Sequence, residues 1–97
     1  MSFEWDPEKD RINRTKHGVA FEDATLVWDD PLMALSQDLH AKGEPRWIAL
    51  GRIGVTTILF VVHVYRSDEG EQRIRIISAR KATRHERRKY DEEVLER

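Results

Sequence analysis

The stretch TTILFVVHVYRSDEGEQRIRIISAR, residues 56–80, decides the fold. Its first half sets Ile58, Phe60, Val62 and Val64 on one side of a strand and Leu59, Val61, His63 and Tyr65 on the other. That is period-two alternation, with the second side turning polar at its end. Ser67-Asp68-Glu69-Gly70 supplies a turn, and Arg73-Ile74-Arg75-Ile76 resumes the alternation. Two strands joined by so short a link pair antiparallel, because a parallel return needs a crossover of about a dozen residues or more.

Upstream, Gly54 closes a tight hairpin and Gly43 a looser one. Strands are therefore expected at about 32–38, 46–54, 56–65 and 73–80. Further out, Asp6-Pro7 is a helix start, an N-cap carboxylate followed by proline where its missing N–H costs nothing. Lys16-His17 suit the helix end, and Gly18 the left-handed stop. Ile12 is the one apolar residue inside this helix, which predicts that the helix lies mostly on the surface. Phe21, Ala24, Thr25 and Trp28 predict a second helix with a core-facing stripe, ended by Asp29-Asp30-Pro31. Thr83 and Glu86 form a T-x-x-E capping box that opens a last helix, with Tyr90 and Val94 on one side of it. Phe3-Glu4-Trp5 reads as a short strand or an extended lead. The expected fold is α+β: two N-terminal helices, a four-stranded antiparallel meander and a C-terminal helix, in one domain spanning 1–97.

Composition narrows the function. The 97 residues include no cysteine, which removes a disulfide scaffold, a thiolate metal site and a cysteine nucleophile together. Ile58 to Val62 is the longest apolar run, too short to cross a bilayer, and the acidic start lacks the apolar core of a secretory signal. The expected location is the cytoplasm. Lys plus Arg number 17 against 18 Asp plus Glu, yet the charge is segregated. Residues 1–45 hold five basic and ten acidic groups, net −5, while residues 73–90 hold eight basic groups against Glu86 alone, net +7. Phosphate binding follows the local field rather than the total charge.

No metal or other cofactor is expected. His17, His40, His63 and His85 share no ligand spacing, and there is no glycine-rich phosphate loop and no serine-nucleophile motif. The chemistry left is that of the basic segment. Arg73 and Arg75 stand opposite Ile74 and Ile76 on their strand, Arg80 ends it, and Lys81 follows. Arg84, Arg87 and Tyr90 climb the helix in three-residue steps, with Arg88 beside them. Guanidinium forks bind phosphate oxygens bidentately and stabilise charge developing on them without a metal. Arg73, Arg75, Arg80 and Arg84 have no acidic neighbours along the chain to occupy them. His63 is either a proton-transfer group facing the Arg73/Arg75 side or a hydrogen-bonded residue at a sheet edge. Tyr90 is core by its ring, with a hydroxyl that could reach a site. Glu86 is assigned to capping.

Several motifs together resemble the BrnT-type toxins of bacterial type II toxin–antitoxin systems. They are Phe3-Glu4-Trp5-Asp6-Pro7, Lys16-His17-Gly18-Val19 with Phe21, Asp29-Asp30-Pro31, Arg46-Trp47-Ile48 through Gly51-Arg52, and Arg75-Ile76-Ile77-Ser78-Ala79-Arg80 with Glu86 and Tyr90. They run in order across nearly the whole chain. The resemblance implies a RelE-like fold and a metal-independent endoribonuclease that inhibits translation. It also implies a cognate BrnA-like antitoxin, often with a ribbon-helix-helix domain through which the complex reaches operator DNA, and a homodimer or a 2:2 toxin–antitoxin assembly. On this reading Arg80 and Arg84 hold the scissile phosphate and His63 or Tyr90 handles the protons. Arg73, Arg75, Lys81, Arg87 and Arg88 track the RNA backbone. The alternative is a basic interaction module that binds antitoxin or RNA without cleaving it.

Overall fold

A computed structural model describes residues 2–95. The chain runs β1 (Ser2–Glu4), α1 (Pro7–His17), α2 (Phe21–Ala24), a 3-10 segment (Thr25–Asp29), β2 (Ala34–Asp38), β3 (Arg46–Ile53), β4 (Thr57–Asp68), β5 (Glu71–Lys81) and α3 (Arg84–Leu95). The sheet has five strands in the order β1-β5-β4-β3-β2, so the expected four-stranded meander is corrected by one strand. β1 lies parallel to β5, with Phe3 opposite Ile74 and Glu4 opposite Arg75. Three residues are too few to announce a strand by pattern. They are held by what flanks them: the Phe3 ring packs edge-on against Trp28, 5.3 Å between centroids, and Glu4 meets two arginines of β5.

The first helix forms as its ends predict. Asp6 accepts the Glu8 N–H at 2.9 Å, and Gly18 closes the helix at φ 71° with its N–H on the Arg14 carbonyl. Its buried residue is Asn13, while Ile12 stays half exposed. The Asn13 amide donates to the carbonyls of Val19 (2.9 Å) and Ala79 (2.8 Å) and accepts the Ala79 N–H at 3.2 Å. It thereby takes a strand's place at the β5 edge beyond the end of β1, where the backbone would otherwise be unpaired.

The second helix is half α and half 3-10, and this moves its stripe. Phe21, Ala24 and Val27 are the buried positions, whereas Thr25 and Trp28 are only partly covered. A three-residue turn stacks every third side chain, which replaces the expected i, i+3, i+4, i+7 pattern. Val27 presses on Gly51 of β3 so closely that a β-carbon there would sit 2.5 Å from Val27 Cγ1. That contact explains a glycine inside a strand.

The sheet is covered on both faces. One carries α1, α2 and the 3-10 segment over Ala49, Leu59, Val61, Ile76 and Ala79. The other seats α3, through Tyr90 and Val94, on Ala34, Leu50, Ile58 and Phe60. Between them runs an irregularity in β5: Val62 pairs with Ser78 but His63 pairs with Ile76, leaving Ile77 as the extra residue of a bulge. Ile74, Ile76 and Ala79 consequently share the first face, and Arg73, Arg75, Ser78 and Arg80 the second.

Replacing Asn13 with alanine strands three buried backbone groups. The expected cost is about 3 kcal/mol of unfolding free energy, read from the urea midpoint, whereas Ile12→Ala at the neighbouring exposed position should cost under about 1 kcal/mol.

Candidate functional site

The arginines of β5 stand together on one face because of the bulge, but they are not unpartnered as their chain neighbours suggest. Glu4 reaches over from β1. Its carboxylate lies 2.7 Å from Arg75 Nη1 and 2.9 Å from Arg73 Nε, the latter an ion pair without hydrogen-bond alignment. Asp68 approaches Arg73 at 3.6 Å. The expectation that these arginines lack acidic partners is corrected, since the parallel pairing of a distant segment supplies one. Half-exposed pairs of this kind hold side-chain geometry more than they stabilise the fold.

Arg80 is placed differently. It lies where β5 ends and α3 begins, its guanidinium 4.0 Å above the centroid of the Phe60 ring. Glu86 accepts from it in bidentate fashion, at 2.7 Å from Nη1 and 3.0 Å from Nη2. The same carboxylate accepts the Thr83 N–H at 2.9 Å, and the Thr83 hydroxyl accepts the Glu86 N–H, so the predicted capping box is present. Glu86 therefore does two things, and only the cap was legible, because a spacing of six residues across a strand–helix junction follows no helical or strand period. Arg80's bond holds the Glu86 carboxyl below its usual range, against burial, and Glu86 in turn raises Arg80.

Glu86 of this pair, with Phe60 beneath Arg80, edges a groove of about 210 Å³ between α3 and the sheet. His85, Glu86 and Lys89 line it from the helix, and Phe60 lines it from β4. His85 and Phe60 carried no functional reading in the sequence; their signal was the neighbouring capping box and the strand alternation.

His63 and Tyr90 are not at this surface. His63 is fully buried on the opposite face from Arg73, Arg75 and Arg80, which corrects the expectation that it faces them. Its ring packs edge-on against Trp28 and Tyr65, with Nδ1 3.3 Å from the Val61 carbonyl and Nε2 3.3 Å from the Tyr65 hydroxyl. Desolvation in this aromatic box pushes its pKa down to about 4. Tyr90 is buried too, and its hydroxyl donates to Asp30 at 2.5 Å. Burial, then the Asp30 carboxylate, pushes it up to about 12. Asp30 also accepts the N–H groups of Leu32 and Arg52, and these bonds keep its carboxyl low although burial acts to raise it. Tyr90 is thus the anchor of α3, and its proton is committed to Asp30.

The helix arginines form a separate surface. Arg84, Arg87 and Arg88 line the outer side of α3 with Asp91, and none of them lines the groove that Glu86 and His85 edge. Arg87 Nη1 donates to the Thr56 carbonyl at 3.0 Å, and no carboxylate pairs with these three among the described residues. Lys81 is exposed at the strand end. The structure brings Arg73, Arg75 and Arg80 to one sheet face, and it leaves Arg84 on the outer side of α3, without a bond to the Glu86 carboxylate that holds Arg80. Among the described residues no three His, Asp or Glu side chains cluster as metal ligands, and no helix is long and apolar enough to cross a membrane.

The class this architecture defines is a single-sheet α+β domain with arginines ranked along one sheet face and one helix. Within that class, residues 5–86 match the family described as "Ribonuclease toxin, BrnT, of type II toxin-antitoxin system", and the chain belongs to it. The crystal structure of the Brucella abortus ribonuclease toxin BrnT has a similar fold, with a TM-score of 0.58 and 24% sequence identity over 87% of this chain and 99% of that one. No curated protein matches the chain in sequence.

A neutral His63 in the fold and an ordinary one in the unfolded chain make stability fall as pH drops. The unfolded chain takes up the proton below about 6.5, and the folded one only near 4, so the loss develops between these values. Between pH 7 and pH 4 the protein should lose up to about 3 kcal/mol more than its His63→Gln variant, measured by urea unfolding at each pH, with carboxylate contributions common to both.

Proposed function

We propose that this chain is a metal-independent endoribonuclease toxin whose reaction takes place at the Arg80 corner of the groove. The observation that carries the reading is the Arg80 fork, set bidentate on a carboxylate over an aromatic ring at an open surface, in a chain of the BrnT ribonuclease toxin family. A carboxylate held across both guanidinium nitrogens occupies the place two phosphate oxygens would take.

In the reaction an RNA 2′-hydroxyl attacks the adjacent phosphorus in line, expelling the 5′-oxygen and leaving a 2′,3′-cyclic phosphate. Arg80 turns from Glu86 to the phosphate and meets the charge that grows on its oxygens. Losing Arg80 removes the main cause of the low Glu86 pKa, so the carboxylate becomes a better base for the 2′-hydroxyl proton as substrate binds. His85, on the same groove wall, is placed to return a proton to the leaving oxygen. These two residues take the roles expected of His63 and Tyr90, which burial keeps from solvent. Arg84, Arg87 and Arg88 meet the RNA backbone along α3, joined by Lys81 and by Arg73 and Arg75 where phosphate displaces Glu4. Cleaved messages halt translation in the cytoplasm. A cognate BrnA-like antitoxin with a ribbon-helix-helix domain, on a toxin homodimer or in a 2:2 assembly, covers the basic surface and releases activity when it is lost. In the alternative, binding without cleavage, the Arg80–Glu86 pair serves only to cap α3 and tie it to β5, and the exposed His85 imidazole beside it has no role.

Purified chain should cut single-stranded RNA in EDTA and leave cyclic phosphate ends. Arg80→Ala should slow cleavage by about 10²- to 10³-fold and relieve growth arrest on expression. Arg84→Ala and Arg88→Ala should mainly weaken RNA binding, each lowering the slope of log affinity against log salt by about 0.7. Full growth arrest by Arg80→Ala would remove Arg80 from the site.

A further inference from the structure

The groove extends past the Arg80–Glu86 corner into a stretch that the cleavage chemistry does not use. Its floor there is apolar, made by Ile48 and Leu50 with the Phe60 ring at the Arg80 end. Its rim is polar, made by Ser36 from β2 and by Lys89 and Glu93 from α3. Lys89 and Glu93 are four residues apart on one helix, so their side chains project over the same side of the groove. They do not pair with each other or with any other side chain among the described residues.

We infer that this stretch is a nucleobase pocket that selects guanine. The inference rests on the ribonuclease reading above, because the pocket is lined at one end by Glu86 and Phe60, the two side chains that hold the Arg80 fork. The whole groove, corner included, is about 210 Å³, which admits no more than a single planar heterocycle, with apolar walls for its faces. The rim sets which one. Guanine offers two adjacent donors, N1–H and the N2 amino group, and a carboxylate such as Glu93 accepts from both at once. Its O6 and N7 are acceptors that suit the Lys89 ammonium. Adenine and cytosine give a carboxylate one amino group, and uracil one imide N–H. A single-stranded base held between side chains and read along its hydrogen-bonding edge is the usual way proteins read RNA sequence.

The test titrates the whole chain with the 3′-monophosphates of guanosine, adenosine, cytidine and uridine, followed by amide NMR shifts. Guanosine 3′-monophosphate should bind at least about tenfold more tightly than the others, as expected of one bidentate contact, and shift Ser36, Ile48 and Lys89. Glu93→Gln should erase that preference while the shifts around Arg80 persist. Equal affinity for the four nucleotides, a guanine preference that survives in Glu93→Gln, or shifts confined to other surfaces would each overturn the proposal. Cleavage is scored separately on RNA. Guanosine binding in a chain that cuts no RNA upholds the pocket and sinks the ribonuclease reading, and cleavage without guanine preference does the reverse.

Discussion

A single extra residue in β5 organises this molecule. With Ser78 opposite Val62 and Ile76 opposite His63, Ile77 is left over, and the alternation of the strand changes phase there. Before the bulge the arginines are odd-numbered and the core residues even; after it Ala79 is core and Arg80 is not. An unbroken strand would turn Arg80 toward the α1 layer and Ala79 out beside Arg75. The phase change also lets α3 leave the strand over Phe60, on the same face as the arginines, so that Glu86 meets the Arg80 fork.

Charge is managed in two ways on this scaffold. Arg73, Arg75 and Arg80 are each held by a carboxylate, so an incoming phosphate must exchange one anion for another. Arg84, Arg87 and Arg88 are free of carboxylates among the described residues, and they meet an anion without that exchange. The outer side of α3 therefore supplies the first attraction to a polyanion, while the ordered, paired fork at Arg80 supplies geometry. The groove lies between α3 and the sheet, so its width depends on how α3 is seated. That seat is the Tyr90–Asp30 bond, fixed in turn by the N–H groups of Leu32 and Arg52.

Much of this was open to the reading of residues alone. The alternation of residues 56–80, the Asp6-Pro7 and Gly18 helix ends, and the Thr83–Glu86 box all depend on neighbours within a few residues, and each forms as its local chemistry requires. The BrnT family resemblance rested on such local motifs, and the family match over residues 5–86 agrees with it. The site residues were less legible. Arg80 stood out by charge, but His63 was placed by strand parity alone, which says that it shares a side with Val61 and not which layer covers that side. Tyr90 was split between core and site, and Asp30, sixty residues away, decides for core.

By itself, the sequence determined the elements and their order, since periodicity, caps and turns are set by contacts between near neighbours. It also determined that positive charge gathers in residues 73–90. Only the tertiary structure decided the rest: that β1 joins the sheet, that Asn13 completes the β5 edge, that the bulge turns Arg80 outward, and that Glu4 and Glu86 are the partners of the arginines. Each of these is a pairing of groups that no local period relates. Whether a given carboxylate or ring faces a guanidinium is fixed by register and layer, which exist only once the sheet has formed.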